Sequence, residues 1–374
     1  MSRVIQAENR EGTTGGAIDP ADRVRKQSAY SLEDALPDNI PPGTRVMVIV
    51  NPASGKKGGI TTNATGVDEV RRVLADNGID ADLEETQYAG HATVLAKRAI
   101  KEGYQVVIAC GGDGTVGETA MSLIGSKVTL GILPLGSANN VARMMHVPFD
   151  LAEAATLLRL GETRRIDVGR CNGTYFLETA GVGLDAALFP ILNHVDKGEY
   201  IRLIDVVRAF FKFRPSSVTI VLDGKAVRMR ALVVLVANGP YWGYSVPLAP
   251  DAKVDDGRFE VVVFRNFSKW GFVRHVLAAL LHRGEIIGGD PSGRRFTTNS
   301  DIRTYKARRV QVLTSHRHKW PVHADAQARG YTPARIDIVR GALRVITGPG
   351  EHVTEPPSLG ESQGQPPEHR LQPR

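Results

Sequence analysis

Residues 106–118 read VVIACGGDGTVGE and contain the two signals that determine the fold class. Residues 106–110 are apolar without polar alternation, which predicts a β-strand buried on both faces. Residues 111–115 (GGDGT) form a glycine-rich turn directly after it. In open α/β sheets, ligands bind beyond the carboxyl ends of strands, where glycines leave backbone N–H groups accessible to phosphate oxygens. The segment predicts a phosphate site, in which Asp113 holds Mg²⁺ or orders the loop and Thr115 caps a helix or touches phosphate. An ordinary glycine turn is the alternative.

Strand and helix patterns alternate on both sides of this segment. Residues 46–50 and 128–133 are further apolar runs that predict buried strands. One helical stripe ends at Asn77-Gly78, a second ends at Gly103, and helical stretches begin at residues 139 and 151. Alternating strands and helices predict right-handed crossovers and a parallel sheet. We therefore expect an α/β domain over residues 44–164.

Two other predicted strands also end in polar loops that contain glycine. These loops are NPASG at residues 51–55, followed by two lysines, and LPLGSANN at residues 133–140. Each loop alone is a weak signal and is more typical of an ordinary turn than of a ligand site. Three such loops at one edge of the same sheet predict a single phosphate-binding rim.

The pattern changes after Arg165, where short apolar segments follow one another. The strand candidates are residues 166–169, 175–179, 218–222, 231–237, 259–264, 310–313, 336–339 and 343–346. Asp223-Gly224 is a hairpin turn, and helix-like stretches interrupt the strands at 201–211 and 270–281. We expect a second, mainly antiparallel β domain over residues 165–347.

The composition is 42% hydrophobic and 23% charged, which is typical of a globular protein and excludes a fibrous or wholly disordered chain. Residues 1–43 and 348–374 lack an apolar period, so we expect a disordered leader and tail. No apolar run approaches the roughly 20 residues that span a bilayer, and no secretory signal is recognisable at the N-terminus. Cys110 and Cys171 are too few for a disulfide framework, which favours a cytoplasmic location.

The net charge of +7 admits nucleic acid, an anionic membrane surface or a phosphorylated substrate as partner. An ordinary solvated surface is the alternative. Aromatic and basic residues are interspersed in residues 200–214 and 269–283, a combination that suits an anionic membrane interface. A helix with an apolar core face and a solvated polar face is the competing interpretation. We expect peripheral contact with the inner membrane face and no nucleic-acid partner.

Other familiar motifs are absent from the sequence. There is no Walker A motif, dinucleotide fingerprint, nucleophile elbow or zinc-protease helix, which excludes P-loop and common hydrolase classes. His316, His318 and His323 lie close together, but basic residues intervene and no cysteine is near. A basic, solvated stretch is therefore favoured over a zinc site.

Three blocks resemble the signature loops of the diacylglycerol kinase catalytic family: NPASG, GGDGT followed by Glu118, and PLGSANNVAR at residues 134–143. That family includes sphingosine, ceramide and bacterial lipid kinases, and it shares a superfamily with NAD kinases. The resemblance extends through residues 167–169, 176–183 and 249–257 and covers about residues 44–347. It implies a two-domain lipid kinase architecture with ATP in the cleft.

The resemblance implies specific ligand contacts. The nucleotide-binding residues would be Asn51, Pro52, Ala53, Ser54, Gly55, Thr86, Gly112, Asp113, Gly114, Thr115, Val116, Gly117, Glu118 and Ser137. It also implies a Mg²⁺ site built from one side chain and two backbone carbonyls of Lys253, Asp256 and Arg258.

The chain departs from the family pattern at several positions, one of which is Ser137, where threonine is usual. Gly117 stands where asparagine is usual, Asn140 where aspartate is frequent, and Gln327 where the family commonly has the glutamate of Asp-Gly-Glu. An amide cannot accept a proton, so a base at Gln327 is lost. If this segment is a strand, Asp325 shares a face with Gln327. We hypothesise that Asp325 is the residual base and that Gln327 positions the substrate, with Asp113 as the third catalytic residue.

The sequence therefore predicts an ATP- and Mg²⁺-dependent kinase that phosphorylates a hydroxyl of a diacylglycerol- or sphingoid-type lipid. An NAD kinase-like enzyme is one alternative. A catalytically weak pseudokinase that binds nucleotide and lipid is another. A homodimer is left open.

Overall fold

The computed structural model describes residues 39–54, 56–57, 60–61, 66–196, 203–243, 246–265, 268–271, 302–315 and 318–349. Most of the expected leader and tail lies outside these ranges. The leader assignment is wrong for its last residues, because the Asn39 N–H donates to Arg159 O at 2.9 Å and Ile40 is buried in the core. The tail assignment is wrong for Gly348, whose N–H donates to Met145 O at 3.0 Å.

The first half of the fold is an α/β layer. Its strands are β1 (Val46–Val50), β2 (Lys56–Lys57), β3 (Ile60–Thr61), β4 (Asp82–Glu85), β5 (Val106–Gly111) and β6 (Thr129–Pro134). Its helices are α1 (Val67–Asp76), α2 (His91–Lys101), α3 (Asp113–Leu123), α4 (Asn140–Met144) and α5 (Leu151–Leu160). Strands β4, β1, β5 and β6 are parallel in that order, and β2 and β3 pair only with each other.

The predicted strands of this half are confirmed, and their burial explains their composition. Every residue of β1 and β5 is buried, since helices cover the sheet. Strand β4 was not predicted. Its sequence, DLEE, is mostly charged because β4 lies at the sheet edge, where charged side chains discourage pairing with other chains.

The second half is mainly antiparallel. Its strands are β7 (Glu162–Cys171), β8 (Thr174–Phe176), β9 (Thr179–Gly183), β10 (Ser216–Leu222), β11 (Lys225–Ala237), β12 (Tyr241–Trp242), β13 (Val246–Pro247), β14 (Phe259–Arg265), β15 (Ile302–Ala307), β16 (Arg309–Leu313), β17 (Pro321–Ala324), β18 (Gln327–Tyr331) and β19 (Ala334–Thr347). Its helices are α6 (Leu184–Asp196) and α7 (Leu203–Lys212). The Asp223-Gly224 hairpin is confirmed, with both residues at positive φ between β10 and β11.

The last strand links the two halves. Strand β19 replaces the two predicted strands 336–339 and 343–346 by one, interrupted by a register shift between Val339 and Leu343. It pairs antiparallel with β7 and β16 and parallel with β6. Strand β19 thus extends the parallel sheet of the first half beyond β6.

The expected fold class is confirmed: a parallel α/β half is followed by a mainly antiparallel β half. Each half has its own hydrophobic core, one around β1, β5 and β6 and the other around β11 and β14. Helix α7 confirms the first helix-like stretch. The second, at 270–281, lies almost entirely outside the described residues.

Candidate active site

The first two predicted phosphate loops are joined by hydrogen bonds. Asn51 Nδ2 donates to Thr115 Oγ1 at 2.9 Å, and the Gly112 N–H donates to Ser54 Oγ at 3.3 Å. The Asn51 side chain also accepts the N–H of Ala53 through Oδ1 at 3.0 Å, which folds the turn that carries the exposed Pro52 and Ala53. Gly55 lies outside the described residues. The carboxyl ends of β1 and β5 therefore form one polar edge.

The third loop reaches the same edge through a close backbone approach. The Leu135 N–H donates to Gly111 O at 3.0 Å, and a Cβ on Gly136 would lie 2.6 Å from Gly112 Cα. Only glycine allows this approach. Asn139, at φ 50°, closes the loop with a pair of hydrogen bonds to Gly136. Ser137 is exposed on the loop.

Asp113 anchors the third loop to the second. Its Oδ1 accepts the N–H of Val141 at 3.0 Å, in the first turn of α4. Burial raises the pKa of Asp113, while the backbone N–H donors of residues 139–141 act in the opposite direction. Of the two predicted roles, ordering the loop is the one that these contacts support.

The remaining predicted nucleotide residues lie on or beside α3 and β4. Gly114 is exposed, and the Val116 side chain is buried in the core. A Cβ on Gly117 would meet open space. Glu118 Oε1 accepts the Gly90 N–H at 3.0 Å, which ties α3 to the loop before α2. The Thr86 N–H donates to Val50 O at 2.8 Å, so Thr86 lies beside the first loop.

Sequence reasoning missed Glu178, which connects the two halves at this edge. Asn140 Nδ2 donates to Glu178 Oε2 at 2.8 Å and also to Gly243 O at 2.8 Å. Burial is the largest cause that raises the pKa of Glu178 well above its usual value, followed by the charges of Asp113 and Asp325. A signal was present, because Glu178 is the only charged residue in YFLETAGVGL, residues 175–184.

The proposed strand containing Asp325 and Gln327 is wrong. Asp325 and Ala326 have φ values of 43° and 59° and form the turn between β17 and β18. Asp325 Oδ2 accepts the N–H of Leu177 at 2.7 Å, and its Oδ1 accepts those of Glu178 and Thr179 at 3.0 and 3.1 Å. Asp325 therefore clamps the segment that carries Glu178.

The turn separates Asp325 from Gln327. Gln327 is exposed, and its Oε1 accepts a hydrogen bond from Arg329 at 2.7 Å. Burial raises the pKa of Asp325, while the three backbone N–H donors act in the opposite direction. Three carboxylates, those of Asp113, Glu178 and Asp325, thus interact electrostatically while Gln327 points to another partner.

The predicted Mg²⁺ residues lie on the loop before β14. Lys253, Asp256 and Arg258 are exposed, and Asp256 Oδ1 accepts the Arg258 N–H at 2.9 Å. The buried Asp167 braces this loop by accepting the Gly257 N–H at 2.6 Å. Within the described residues, no cluster of three acidic, histidine or cysteine side chains is arranged to hold a metal ion.

The solvated-histidine interpretation is wrong for His323. His318 is exposed, and His316 lies outside the described residues. His323 is fully buried, and its Nε2 lies 2.5 Å from Asp185 Oδ2. Val322, His323 and Ala324 of β17 are all buried, so His323 is covered with the rest of the strand and contacts Asp185 of α6.

Helix α7 has both a core side and an exposed apolar side. Phe210 and Phe213 are buried, whereas Ile204, Val207 and Phe211 are 50–61% exposed. Trp270 is 65% exposed and packs edge-to-face against Phe210 and Phe211. Lys269 Nζ donates to Phe210 O at 2.8 Å. In the part of the chain that the structure describes, no helix is both long and apolar enough to cross a membrane.

Comparison with known proteins agrees with this arrangement. Residues 45–171 match the diacylglycerol kinase catalytic domain, and residues 179–347 match the YegS C-terminal NAD kinase beta sandwich-like domain. Glu178 immediately precedes the second match.

The chain aligns with nearly the whole length of the curated relatives described below. The chain is 30% identical over 308 residues to the diacylglycerol kinase of Bacillus subtilis (strain 168), covering 81% of this chain and 96% of that one. It is 26% identical over 310 residues to the diacylglycerol kinase of Staphylococcus carnosus (strain TM300), with 81% and 95% coverage. The crystal structure of a diacylglycerol kinase from Bacillus anthracis str. Sterne has the same fold, with a TM-score of 0.62, 24% identity, and coverage of 82% and 97%.

Proposed function

Because the chain belongs to the diacylglycerol kinase family of lipid kinases, we propose that it transfers the γ-phosphoryl group of ATP to a hydroxyl of a diacylglycerol- or sphingoid-type lipid. One observation carries this proposal. The three strand-end loops are bonded to one another at one edge, and Glu178 of the β half is bonded to Asn140 of the third loop. Donor and acceptor substrates bound to the two halves would meet there.

The nucleotide side would bind ATP through the loops at residues 51–55, 112–118 and 137, with Thr86 beside them. Glycines and the N-terminus of α3 offer backbone N–H groups to the phosphates, which suits an anionic triphosphate. Phosphoryl transfer depends chiefly on positioning and charge neutralisation, so a rim of fixed donors is the appropriate device. The domain bounds 44–164 and 165–347 are part of this proposal.

Lys253, Asp256 and Arg258 fit a Mg²⁺ site in their donor set. One carboxylate and two carbonyls are the oxygen ligands that Mg²⁺ prefers, and the hydrogen bond from the Arg258 N–H folds this loop around the Asp256 carboxylate. When bound, Mg²⁺ would supply positive charge beside the phosphates. Asp167 would hold the loop in place for it.

The protein would reach the lipid through a membrane-binding surface. This surface consists of Ile204, Val207, Phe211, Lys269 and Trp270. Apolar side chains exposed beside a cation suit insertion into an interface with anionic lipids. Arg208 and Lys212 extend the positive charge along α7. We place the reaction at the cytoplasmic face of the membrane, with a homodimer left open.

Labelled ATP identifies the substrate. The full chain is incubated with Mg²⁺, γ-labelled ATP and vesicles containing diacylglycerol, sphingosine or ceramide, and the lipid products are separated. Labelled lipid supports the proposal. Transfer to NAD⁺ instead would identify the NAD kinase-like alternative, and ATP binding without transfer to any acceptor would identify the pseudokinase alternative.

A matched pair of variants tests the membrane-binding surface of the protein. Val207→Ser should weaken co-sedimentation with phosphatidylglycerol vesicles, whereas Val94→Ser should not, although Val94 on α2 is 51% exposed. Wild-type binding should also weaken with salt, because the Debye length is about 10 Å at 0.1 M. Equal binding to phosphatidylcholine and phosphatidylglycerol vesicles would exclude the anionic interface.

A further inference from the structure

Glu178 occupies the position where the two substrates of the proposed kinase would meet. It lies in the short connection between β8 and β9, where its N–H donates to Asp325 Oδ1 at 3.0 Å. Its side chain reaches across to Asn140 at the start of α4. Asn140 of the α/β half thus holds the Glu178 carboxylate and Asp325 of the β half holds the Glu178 backbone, a placement that suits proton transfer between bound substrates.

The amide side chains of Asn140 and Gln327 stand in different relations to this carboxylate. At Asn140, where the family frequently has aspartate, the chain has an amide that donates to Glu178. Asn140 thus supplies the Glu178 carboxylate with a hydrogen-bond donor. At Gln327, the missing glutamate leaves an exposed amide that bonds to Arg329, away from the carboxylates.

The other two carboxylates are occupied by backbone groups. Asp325 accepts N–H groups through both oxygens, and Asp113 holds the first turn of α4. Among the described residues, Glu178 accepts a hydrogen bond through Oε2 and none through Oε1. An oxygen with remaining acceptor capacity is what a hydroxyl proton needs.

On the basis of the proposed function, we propose that Glu178 is the catalytic residue that accepts the proton of the lipid hydroxyl. The hydroxyl oxygen forms a bond to the γ-phosphorus of ATP. The bond between that phosphorus and the β–γ bridging oxygen breaks, and its electron pair leaves with ADP. The hydroxyl proton passes to Glu178 Oε1 and from there to solvent, which leaves the phosphorylated lipid.

The electrostatics of the site support this role. Burial and two neighbouring carboxylates raise the pKa of Glu178. A carboxylate with a raised pKa is a stronger base once ionised, and catalytic bases are most effective when their pKa lies near the working pH.

Glu178→Gln tests the inference, because glutamine keeps the acceptor for Asn140 but cannot take up a proton. We expect kcat to fall about 10²- to 10⁴-fold, with the ATP dissociation constant unchanged by calorimetry. Glu178→Asp should recover part of the loss. The rise of kcat/KM with pH that reports ionisation of Glu178 should disappear in the glutamine variant.

Glu260→Gln is the matched control. Glu260 is a buried glutamate of the same half, and it pairs with Lys306 at 2.7 Å. Its substitution should leave kcat unchanged. Suppose that the wild type phosphorylates lipid and that folded Glu178→Gln has a kcat within a few-fold of the wild-type kcat. This result would overturn the inference and leave the proposed function standing. Absence of lipid phosphorylation by the wild type would overturn the proposed function and the inference with it.

Discussion

The two halves of the molecule present their candidate ligand groups in opposite ways. The α/β half offers glycine loops at strand ends, and its one acidic catalytic candidate, Asp113, is bonded to backbone N–H groups. The β half offers the carboxylates of Glu178 and Asp325, placed by a connection and a turn that are distant in sequence. On the proposed function, the α/β half would hold the phosphates and the β half would receive the proton.

This difference predicts which amino-acid substitutions each half of the molecule tolerates. A loop that binds through main-chain groups depends on backbone shape, so it is sensitive to glycine substitution and to the loss of its anchor. A site that works through side chains depends on charge and hydrogen-bond partners, so isosteric substitutions report on it directly. The following predictions test this contrast.

Asp113→Ala should have the largest effect on the nucleotide side. It removes the acceptor that holds the Val141 N–H and with it the position of the third loop. We expect turnover to fall at least about 10²-fold, as for loss of a preorganised catalytic group, with weaker nucleotide binding by calorimetry. Circular dichroism should remain that of a folded protein. Asp68→Ala, which changes an exposed carboxylate in α1, should behave as the wild type. Unchanged affinity and rate in Asp113→Ala would remove it from the site.

Asp325→Asn distinguishes a structural role of Asp325 from a role as the catalytic base. In the wild type, the two carboxylate oxygens of Asp325 accept three N–H groups, whereas an asparagine amide has only one acceptor oxygen. We therefore expect the free energy of unfolding to fall by about 1–3 kcal/mol. Turnover should fall as well, because Glu178 loses its support, while ATP affinity stays nearly intact. Denaturant titration and steady-state kinetics measure both quantities. A strong loss of turnover at unchanged stability would favour our first hypothesis that Asp325 is itself the base.

Gly136→Ala tests whether the loops need their close approach. A Cβ there would lie 2.6 Å from Gly112 Cα, so the loops must separate. We expect a stability loss of about 1–3 kcal/mol and an increase in the KM for ATP that exceeds the change in kcat. Gly66→Ala is the control, because its Cβ would meet open space at negative φ. Equal behaviour of the two variants would contradict the close packing of the second and third loops.

Glu178→Gln should increase stability at neutral and alkaline pH. The pKa of Glu178 is raised in the folded state, so folding favours its protonated form. As pH rises through the interval between the unfolded and the folded pKa, this contribution to stability is lost. Thermal melts at a series of pH values should show that the variant lacks this loss. At pH values above that interval, its Tm should exceed the wild-type Tm by on the order of 2 °C. Glu260→Gln should instead lower the Tm, because it removes an ion pair. A lower Tm for both variants would indicate that Glu178 is structural.

Gln327→Glu should have the smallest effect. Gln327 is exposed and bonded to Arg329, so a carboxylate there would pair with Arg329 instead of joining the three carboxylates. We expect kcat to change by less than about two-fold, since exposed ion pairs contribute little. Lipid phosphorylation that appears only in this variant would show that the wild type is a pseudokinase.

Particular residues show where sequence reasoning succeeded and where it did not. Val46–Val50 and Val106–Gly111 were predictable, since an apolar run before a glycine turn has few other structures available to it. Asp325 was misplaced, because nothing in its neighbours signals a non-glycine turn with two positive φ values. His323 appeared solvated among basic neighbours, yet it is buried against Asp185, a contact between residues 138 positions apart.

By itself, the sequence determined the alternation of strands and helices, the antiparallel second half and the three glycine loops, because these depend on interactions between near neighbours. Only the tertiary structure decided that β19 completes the parallel sheet and that Asn140, Glu178 and Asp325 meet. The reason is physical. A buried carboxylate is stabilised by donors that the fold brings from far along the chain, and no local pattern records which donors those are.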